Sequence, residues 1–217
     1  MKTNLQGRAD EIFKRLEKKY PQAKIALHFG EPIQLLVATI LSAQCTDKRV
    51  NIVTKDLFRK YQTARDYANA DIKVFEQEIR STGFYHNKAK NIIGAAKMIV
   101  EEYSGKVPDT MEELVKLPGV ARKTANIVLS SGFGRNEGIA VDTHVRRLSG
   151  RLGLSKYDDP PKIEQDLMKL YPREDWALVS YLIIDHGRAI CNARKPLCSQ
   201  CFLNDICPSA NIFMSKP

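Results

Sequence analysis

Four of the five cysteines lie close together near the C-terminal end of the 217-residue chain. Their spacing is Cys191-x6-Cys198-x2-Cys201-x5-Cys207, and thiolates at such short intervals bind zinc or iron–sulfur clusters. Disulfide bonds are disfavoured because the first residues lack an apolar signal segment, which indicates a reducing, cytoplasmic setting. Zinc ribbons usually carry two C-x2-C pairs and this chain has one, so the spacing alone leaves zinc and iron–sulfur both open.

Lys123 is a second residue whose position suggests chemistry, because it follows a tight turn, Leu117–Val120, between two predicted helices. The N–H groups that begin a helix have no internal partner and attract anions such as phosphate. The adjacent Arg122 and the helix end both disfavour the charged amine, and partial burial would add to this. A neutral amine can attack C1′ of a deoxyribose and form a Schiff base, although the residues alone favour a solvated, phosphate-binding lysine.

Asp142 opens the helical segment VDTHVRRL, 19 residues after Lys123. Aspartate is a favoured N-cap, and capping alone explains it. The alternative is a carboxylate that faces the sugar, stabilises developing oxocarbenium charge and helps to deprotonate Lys123. One carboxylate can hold both roles.

Apolar residues recur at helical spacing through most of the chain, which predicts an all-α protein. The segment 33–43 is apolar almost throughout and would also suit a buried strand; we favour a helix because no alternating segment would pair with it. Thr110 and Glu113 have the spacing of a capping box. Helices are expected at about 5–20, 33–43, 47–61, 71–80, 88–103, 110–116, 120–131, 142–151, 161–171 and 174–189.

Composition excludes several classes of protein. With 43% hydrophobic residues the chain is globular, and no apolar run approaches the roughly 20 residues of a membrane span. The charge of +9 and the pI near 9.3 favour nucleic acid as a partner, although a basic surface alone would also explain them. The isolated Cys45 is expected to be a small buried hydrophobe.

The segment LPGVARKTA at 117–125 resembles the helix-hairpin-helix of the endonuclease III family of DNA glycosylases. The order and spacing of VDTH at 141–144 and of the four cysteines agree with this family. The resemblance extends to LSAQCTD at 41–47, TGFYHNKAKNI at 82–92 and HGR at 186–188. The chain departs from the family at Ala121, where glycine is common, and we expect this alanine to cost backbone freedom at the turn.

The resemblance implies a helix-hairpin-helix DNA glycosylase fold with two helical domains. A six-helix barrel would span 26–134, with the hairpin at about 110–131, and a cluster domain would combine 1–25 with 135–217. The cleft between them would hold Lys123 as the catalytic lysine and Asp142 as the catalytic aspartate. The four cysteines would bind a structural [4Fe-4S] cluster.

The resemblance also implies how the protein opens DNA. Gln44 would fill the space left by the extruded base, and Phe84 would be an apolar wedge, with a core contact as its alternative. His144 is expected to be a structural or phosphate-contacting neighbour, with Lys88 and Lys90 as further phosphate contacts. The remaining predicted DNA contacts are Leu117, Gly119, Ala121, Arg122, Arg147, Arg194 and Lys195.

The expected activity is that of a bifunctional DNA glycosylase and abasic-site lyase that excises oxidised pyrimidines. One alternative is a mismatch-directed glycosylase of the same superfamily, although the adenine-excising members usually lack the lysine found at Lys123. Another is a DNA-binding module without catalysis. We expect duplex DNA with damaged bases or abasic sites as the partner, no membrane, a monomer, and a cytoplasmic location at the nucleoid of a bacterium or archaeon.

Overall fold

The computed structural model describes residues 5–214, and these contain helices and turns but no β-strand. The all-α prediction is therefore confirmed. No helix within the described residues is long and apolar enough to cross a membrane. The chain divides into two compact units, Ala26–Arg135 and a unit formed by the segments on either side of it. Residues 1–4 and 215–217, which the sequence assigns to the cluster domain, lie outside the described residues.

The helices follow one another with short connections. In chain order they are α1 (Leu5–Lys19), α2 (Pro32–Leu41), α3 (Asp47–Lys60), α4 (Ala64–Ala68), α5 (Ile72–Ile79), α6 (Tyr85–Glu102), α7 (Met111–Leu114), α8 (Arg122–Ile127), α9 (Thr143–Arg151), α10 (Pro160–Leu170), α11 (Trp176–Ala189) and α12 (Ala210–Met214). A π-helical turn, Val128–Gly132, continues α8.

Helix α2 forms the centre of the Ala26–Arg135 unit. Its residues from Leu35 to Leu41 are all buried, and Pro32 occupies its first turn, where the missing N–H costs nothing. The helices α3, α6 and α8 pack around it. The apolar stretch is thus a helix buried on all sides, which is why its sequence shows no polar face.

Helix α4 escaped the sequence-based prediction because five residues are too few to show a helical period. Its signal is a capping box, in which the Thr63 hydroxyl accepts the Asp66 N–H and the Asp66 carboxylate accepts the Thr63 N–H. The box predicted at Thr110 is only half formed. The Thr110 hydroxyl accepts the Glu113 N–H but donates to the Glu113 carboxylate, which does not reach back to the backbone.

The second unit joins α1 to the helices that follow residue 135. The α1 residues Ile12 and Leu16 pack with α9, α10 and α11 around an apolar core. The guanidinium group of Arg15 on α1 donates to the Phe202 carbonyl at 3.0 Å and to the Asp205 carboxylate at 2.7 Å. The N-terminal helix is therefore fixed to the segment that carries the clustered cysteines.

An aromatic cluster within the Ala26–Arg135 unit contains two tyrosines whose hydroxyl groups differ in hydrogen bonding. Tyr67 stacks on Tyr61 with ring centroids 5.1 Å apart, and Phe75 meets both edge-on. The Tyr67 hydroxyl is buried without a hydrogen-bond partner among the described residues, whereas the Tyr61 hydroxyl donates to Glu78 at 3.0 Å.

We therefore expect Tyr67→Phe to leave the free energy of unfolding unchanged or to raise it by about 1 kcal/mol, because it removes an unsatisfied group. The matched variant Tyr61→Phe should lower that free energy by about 0.5–1.5 kcal/mol, because it breaks a hydrogen bond. Thermal or urea unfolding measures both. A larger loss for Tyr67→Phe than for Tyr61→Phe would contradict the assignment.

Candidate functional site

The hairpin turn between α7 and α8 is anchored by its apolar residues. The side chains of Leu117 and Val120 are buried, and the Val120 N–H donates to the Leu117 carbonyl at 3.1 Å. Gly119 has φ +78°, and a Cβ there would lie 2.8 Å from the Cβ of Asn91. Glycine is required on both counts. Because the Leu117 side chain faces the core, any contact of this residue with DNA is through its backbone.

The turn presents backbone donors to solvent. Gly119 and Ala121 are exposed, and neither N–H has an acceptor among the residues that the structure describes. Ala121 caps α8 with φ −89° and ψ 168°, an extended conformation that any residue adopts. The backbone cost expected at Ala121 was therefore wrong. The donors and the start of α8 together form a surface that favours an anion.

Lys123 lies in the first turn of α8, directly after Arg122, and both residues are exposed. Its side chain is exposed, so the partial burial considered from the sequence is not found. The neighbouring cation and the helix start are present as expected. The amine is thus accessible to a ligand that binds at the hairpin turn.

Gln44 and Phe84 share an unusual conformation. Both are exposed and have left-handed backbones, with φ +52° and +49°, a region that costs non-glycine residues about 1 kcal/mol or more. Phe84 follows Gly83 and is 63% exposed, which excludes the alternative of a core contact. The sequence gives no signal of this shared backbone geometry.

Two neighbouring predictions need correction. Lys88, expected to contact phosphate, is only 4% exposed, and its ammonium group donates to the carbonyls of Leu41 and Thr82. Cys45, expected to be buried, is half-buried, and its thiol lies 3.8 Å from the Thr46 carbonyl. Lys90, on the same helix as Lys88, is exposed and remains available to phosphate.

Asp142 is the N-cap of α9, as its position in the sequence indicated. Its Oδ1 accepts the N–H groups of His144 and Val145, each at 2.8 Å. The carboxylate is half-buried, and no described residue donates to Oδ2. One oxygen therefore holds the helix end while the other stays available.

His144 and Arg147 tie α9 to α11 and to the first clustered cysteine. The Arg147 Nη2 lies 3.2 Å from the His144 Nδ1 and donates to the carbonyls of Gly187 and Cys191 at 3.1 and 2.9 Å. Burial lowers the pKa of His144, while the nearby Asp142 opposes that shift. Both residues have a structural role here, and their contact with DNA stays a prediction.

The four clustered cysteines line one cavity, whose other walls include apolar side chains such as Leu152, Ile190 and Leu197. Burial raises the pKa of the Cys198, Cys201 and Cys207 thiols, because a thiolate loses hydration there. Four thiolates in such surroundings call for compensating positive charge. The donor set thus fits a metal cluster better than free thiols.

Arg151 is a residue of this region that the sequence reading missed. Its guanidinium group donates to Cys191 Sγ at 3.3 Å and to the carbonyls of Asn192 and Ala193, each at 2.8 Å. It also lies 4.6 Å from the centre of the Phe213 ring. Its spacing of four from Arg147 on α9 was the available signal, because residues at i and i+4 share a helix face.

Arg194 and Lys195 lie in the loop between the first two cysteines. Both are exposed, and neither forms an ion pair within the described part of the chain. Arg151 binds the carbonyls of the two residues just before them, so the backbone that carries these two cations is held in place. This agrees with the expected phosphate contacts without testing them.

Known proteins similar to this chain agree on one family. Residues 37–173 match the HhH-GPD superfamily base excision DNA repair protein family, and residues 191–207 match the iron-sulfur binding domain of endonuclease III. Endonuclease III of Synechocystis sp. is 60% identical over 94% of this chain and 93% of its own length.

Two solved structures are similar over nearly their whole length. A non-covalent endonuclease III–DNA complex has a TM-score of 0.93 at 44% identity and covers 97% of this chain and 99% of its own. A trapped endonuclease III–DNA covalent intermediate has a TM-score of 0.92, also at 44% identity, with coverage of 96% and 98%.

These matches also decide between zinc and iron at the cysteines. The matched iron–sulfur segment begins at Cys191 and ends at Cys207, and the cofactor is a [4Fe-4S] cluster. In fold, in sequence over most of its length, and in its cysteine segment, the chain belongs to the endonuclease III family of base excision DNA repair proteins.

Proposed function

We propose that this chain excises oxidised pyrimidines from duplex DNA and then cleaves the strand, with Lys123 as the nucleophile. The observation that carries the proposal is the exposed amine of Lys123 in the first turn of α8, beside the open donors of the hairpin turn. A phosphate bound at those donors would bring the adjacent sugar within reach of the amine. The similar covalent endonuclease III–DNA intermediate supports a covalent step.

The chemistry follows from an amine attacking an acetal carbon. The Nζ atom of Lys123 forms a bond to C1′ while the C1′–N glycosidic bond breaks, and the base leaves with the electron pair and takes up a proton. A proton then moves from this nitrogen to O4′ of the sugar while the C1′–O4′ bond breaks, and the nitrogen lone pair forms the C=N bond of a protonated imine. That imine makes the 2′ proton acidic, so its removal expels the 3′ phosphate. Water then releases the lysine.

Asp142 would act on the same sugar through its free oxygen. Since Oδ1 is held by two backbone N–H groups, Oδ2 is fixed in direction by the helix end. A carboxylate so fixed stabilises positive charge that develops at C1′ and can receive a proton from Lys123.

Gln44 and Phe84 are the residues that would occupy the gap left in the duplex. Both are exposed on turns, and the Phe84 ring can stack between bases. The backbone donors of the hairpin turn, together with Lys90, Arg122, Arg194 and Lys195, would neutralise phosphates.

We further propose that the protein acts as a monomer in the cytoplasm, at the nucleoid. The charge of +9 supports association with chromosomal DNA.

Cys191, Cys198, Cys201 and Cys207 are the proposed ligands of the [4Fe-4S] cluster. When bound, the cluster would supply a covalent cross-link between the parts of the chain that carry the four cysteines. Arg147 binds the carbonyl of the first ligand, Cys191, and Arg151 binds the carbonyl of the next residue, Asn192. Their role is to fix the loop that presents Arg194 and Lys195.

Reductive trapping tests the nucleophile. With duplex DNA that contains an abasic site, borohydride should link the native protein to the strand covalently, and Lys123→Gln should abolish the link because it removes the attacking amine. Lys116→Gln, which removes a charge from the same hairpin, is the matched control and should trap normally. Persistent trapping by Lys123→Gln would assign the chemistry to another amine. If the native protein did not trap, the proposed lyase chemistry would fail, and the alternative of a DNA-binding module without catalysis would stand.

The carboxylate is tested with Asp142→Asn on duplex DNA that carries an oxidised pyrimidine, with base release measured directly. Asparagine is as good an N-cap as aspartate, so α9 should keep its start while the negative charge is lost. We expect base release to slow by about 100-fold or more, in the range of acid–base catalysis, with DNA binding largely kept. Unchanged turnover would reduce Asp142 to a cap.

Arg151→Met tests how the cluster segment is held. The variant removes two charge-assisted hydrogen bonds to main-chain carbonyls, each worth about 1.5–3 kcal/mol, and one contact with Cys191. We expect lower iron content and faster bleaching of the visible absorbance in air. The control is Arg146→Met. Arg146 is an exposed arginine on the same helix as Arg151 and pairs with Asp158, so this variant should keep the iron content and the bleaching rate of the native protein. Equal bleaching of the two variants would exclude the role given to Arg151.

A further inference from the structure

Lys88 is a buried cation that the proposed chemistry does not use. It lies on α6 and is 4% exposed, and its Nζ donates to the Leu41 carbonyl at 2.7 Å and to the Thr82 carbonyl at 2.9 Å. Neither carbonyl accepts a backbone N–H among the described residues. The ammonium group therefore joins the ends of two helical segments, whose last carbonyls receive no backbone N–H among the described residues.

The two carbonyls mark the starts of the turns that carry Gln44 and Phe84. Leu41 is the last residue of α2, three residues before Gln44, and Thr82 ends a 3-10 turn two residues before Phe84. Among the described residues, three non-glycine residues have positive φ, and two of them are this pair. Such conformations persist where the surrounding structure fixes them.

A lysine at this position has a cost for stability as well as a benefit. Burial lowers the pKa of Lys88, because the charged ammonium loses hydration. A neutral apolar side chain of similar length would avoid that cost but would leave both carbonyls without a donor among the described residues. Only a side chain with several donors can form hydrogen bonds to the carbonyls of Leu41 and Thr82 at the same time.

We propose that Lys88 is a positioning residue, which fixes the left-handed turns of Gln44 and Phe84 relative to each other so that both side chains enter the duplex as a pair. This inference rests on the proposed function of those two residues. In this arrangement Lys88 never touches DNA. It acts through the carbonyls of Leu41 and Thr82.

The test compares a substrate that must be opened with one that is already open. Lys88→Met should slow single-turnover release of an oxidised pyrimidine from duplex DNA by about tenfold or more, since small misplacements have large kinetic costs. Cleavage of single-stranded abasic DNA should stay close to the native rate, because no duplex is opened. Lys97→Met, at an exposed position on the same helix, is the matched control for loss of charge.

A double-mutant cycle separates positioning from general destabilisation. In a protein that already carries Gln44→Ala and Phe84→Ala, Lys88→Met should add little further loss on duplex DNA, because the residues it positions are gone. Additive losses would overturn the proposal. Equal losses on duplex and single-stranded substrates would do the same, since they would show a role in folding alone.

A second variant guards against misfolding of the first. Lys88→Gln keeps N–H donors on a shorter side chain and should give an intermediate loss on duplex DNA, with its folding checked by thermal unfolding. If neither variant folds, Lys88 belongs to the core and the positioning role fails. If the native protein neither releases the base nor traps on abasic DNA, the proposed function fails, whereas a native-like Lys88→Met overturns this inference alone.

Discussion

Hydrogen bonds from buried or half-buried cations to main-chain carbonyls hold the ends of the helices that carry the candidate functional residues. Lys88 binds the end of α2 and a neighbouring turn, Arg147 binds the carbonyls of Gly187 and Cys191, and Arg151 binds those of Asn192 and Ala193. Helix ends leave carbonyls without partners, and a charged donor satisfies them more strongly than a neutral one. Residues that are expected to meet DNA therefore stand on short turns whose positions are set from within each unit.

Asp142 shows how one residue can satisfy a structural and a chemical demand together. The sequence suggested capping and catalysis, and indicated that one carboxylate can hold both roles. In the structure one oxygen takes both backbone bonds, and the other has no donor among the described residues. The two explanations are compatible because a carboxylate has two oxygens, and the cap is what would orient the second.

The sequence predicted those features that depend on local pattern. Helical periodicity gave the all-α fold, the apolar segment 33–43 proved to be the buried α2, and the hairpin turn lies where LPGV indicated it. Helix α4 was missed because only its capping box, Thr63 to Asp66, marks it. Local pattern extends over a few residues, and it fails for elements shorter than one or two turns.

Features that depend on distant contacts could not be predicted. Lys88 reads as a surface lysine, because its acceptor at Leu41 is 47 residues away in sequence. The backbone at Ala121 is extended, so a rule drawn from glycine at that position did not apply. For Lys123, Asp142 and the cysteines, sequence motifs predicted the candidates, and the structure adds their exposure and their partners.

The course of the chain through its two units has a consequence for synthesis on the ribosome. Helix α1 emerges before the Ala26–Arg135 unit, but the apolar partners of Ile12 and Leu16 follow only after residue 135. The Ala26–Arg135 unit can complete its core while α1 waits with an uncovered apolar stripe. Arg15 finds its acceptors, Phe202 and Asp205, only 187 and 190 residues later in the chain. A cluster held by all four thiolates therefore cannot be completed before Cys207 has been translated, and a chain stalled before that point lacks the last proposed ligand.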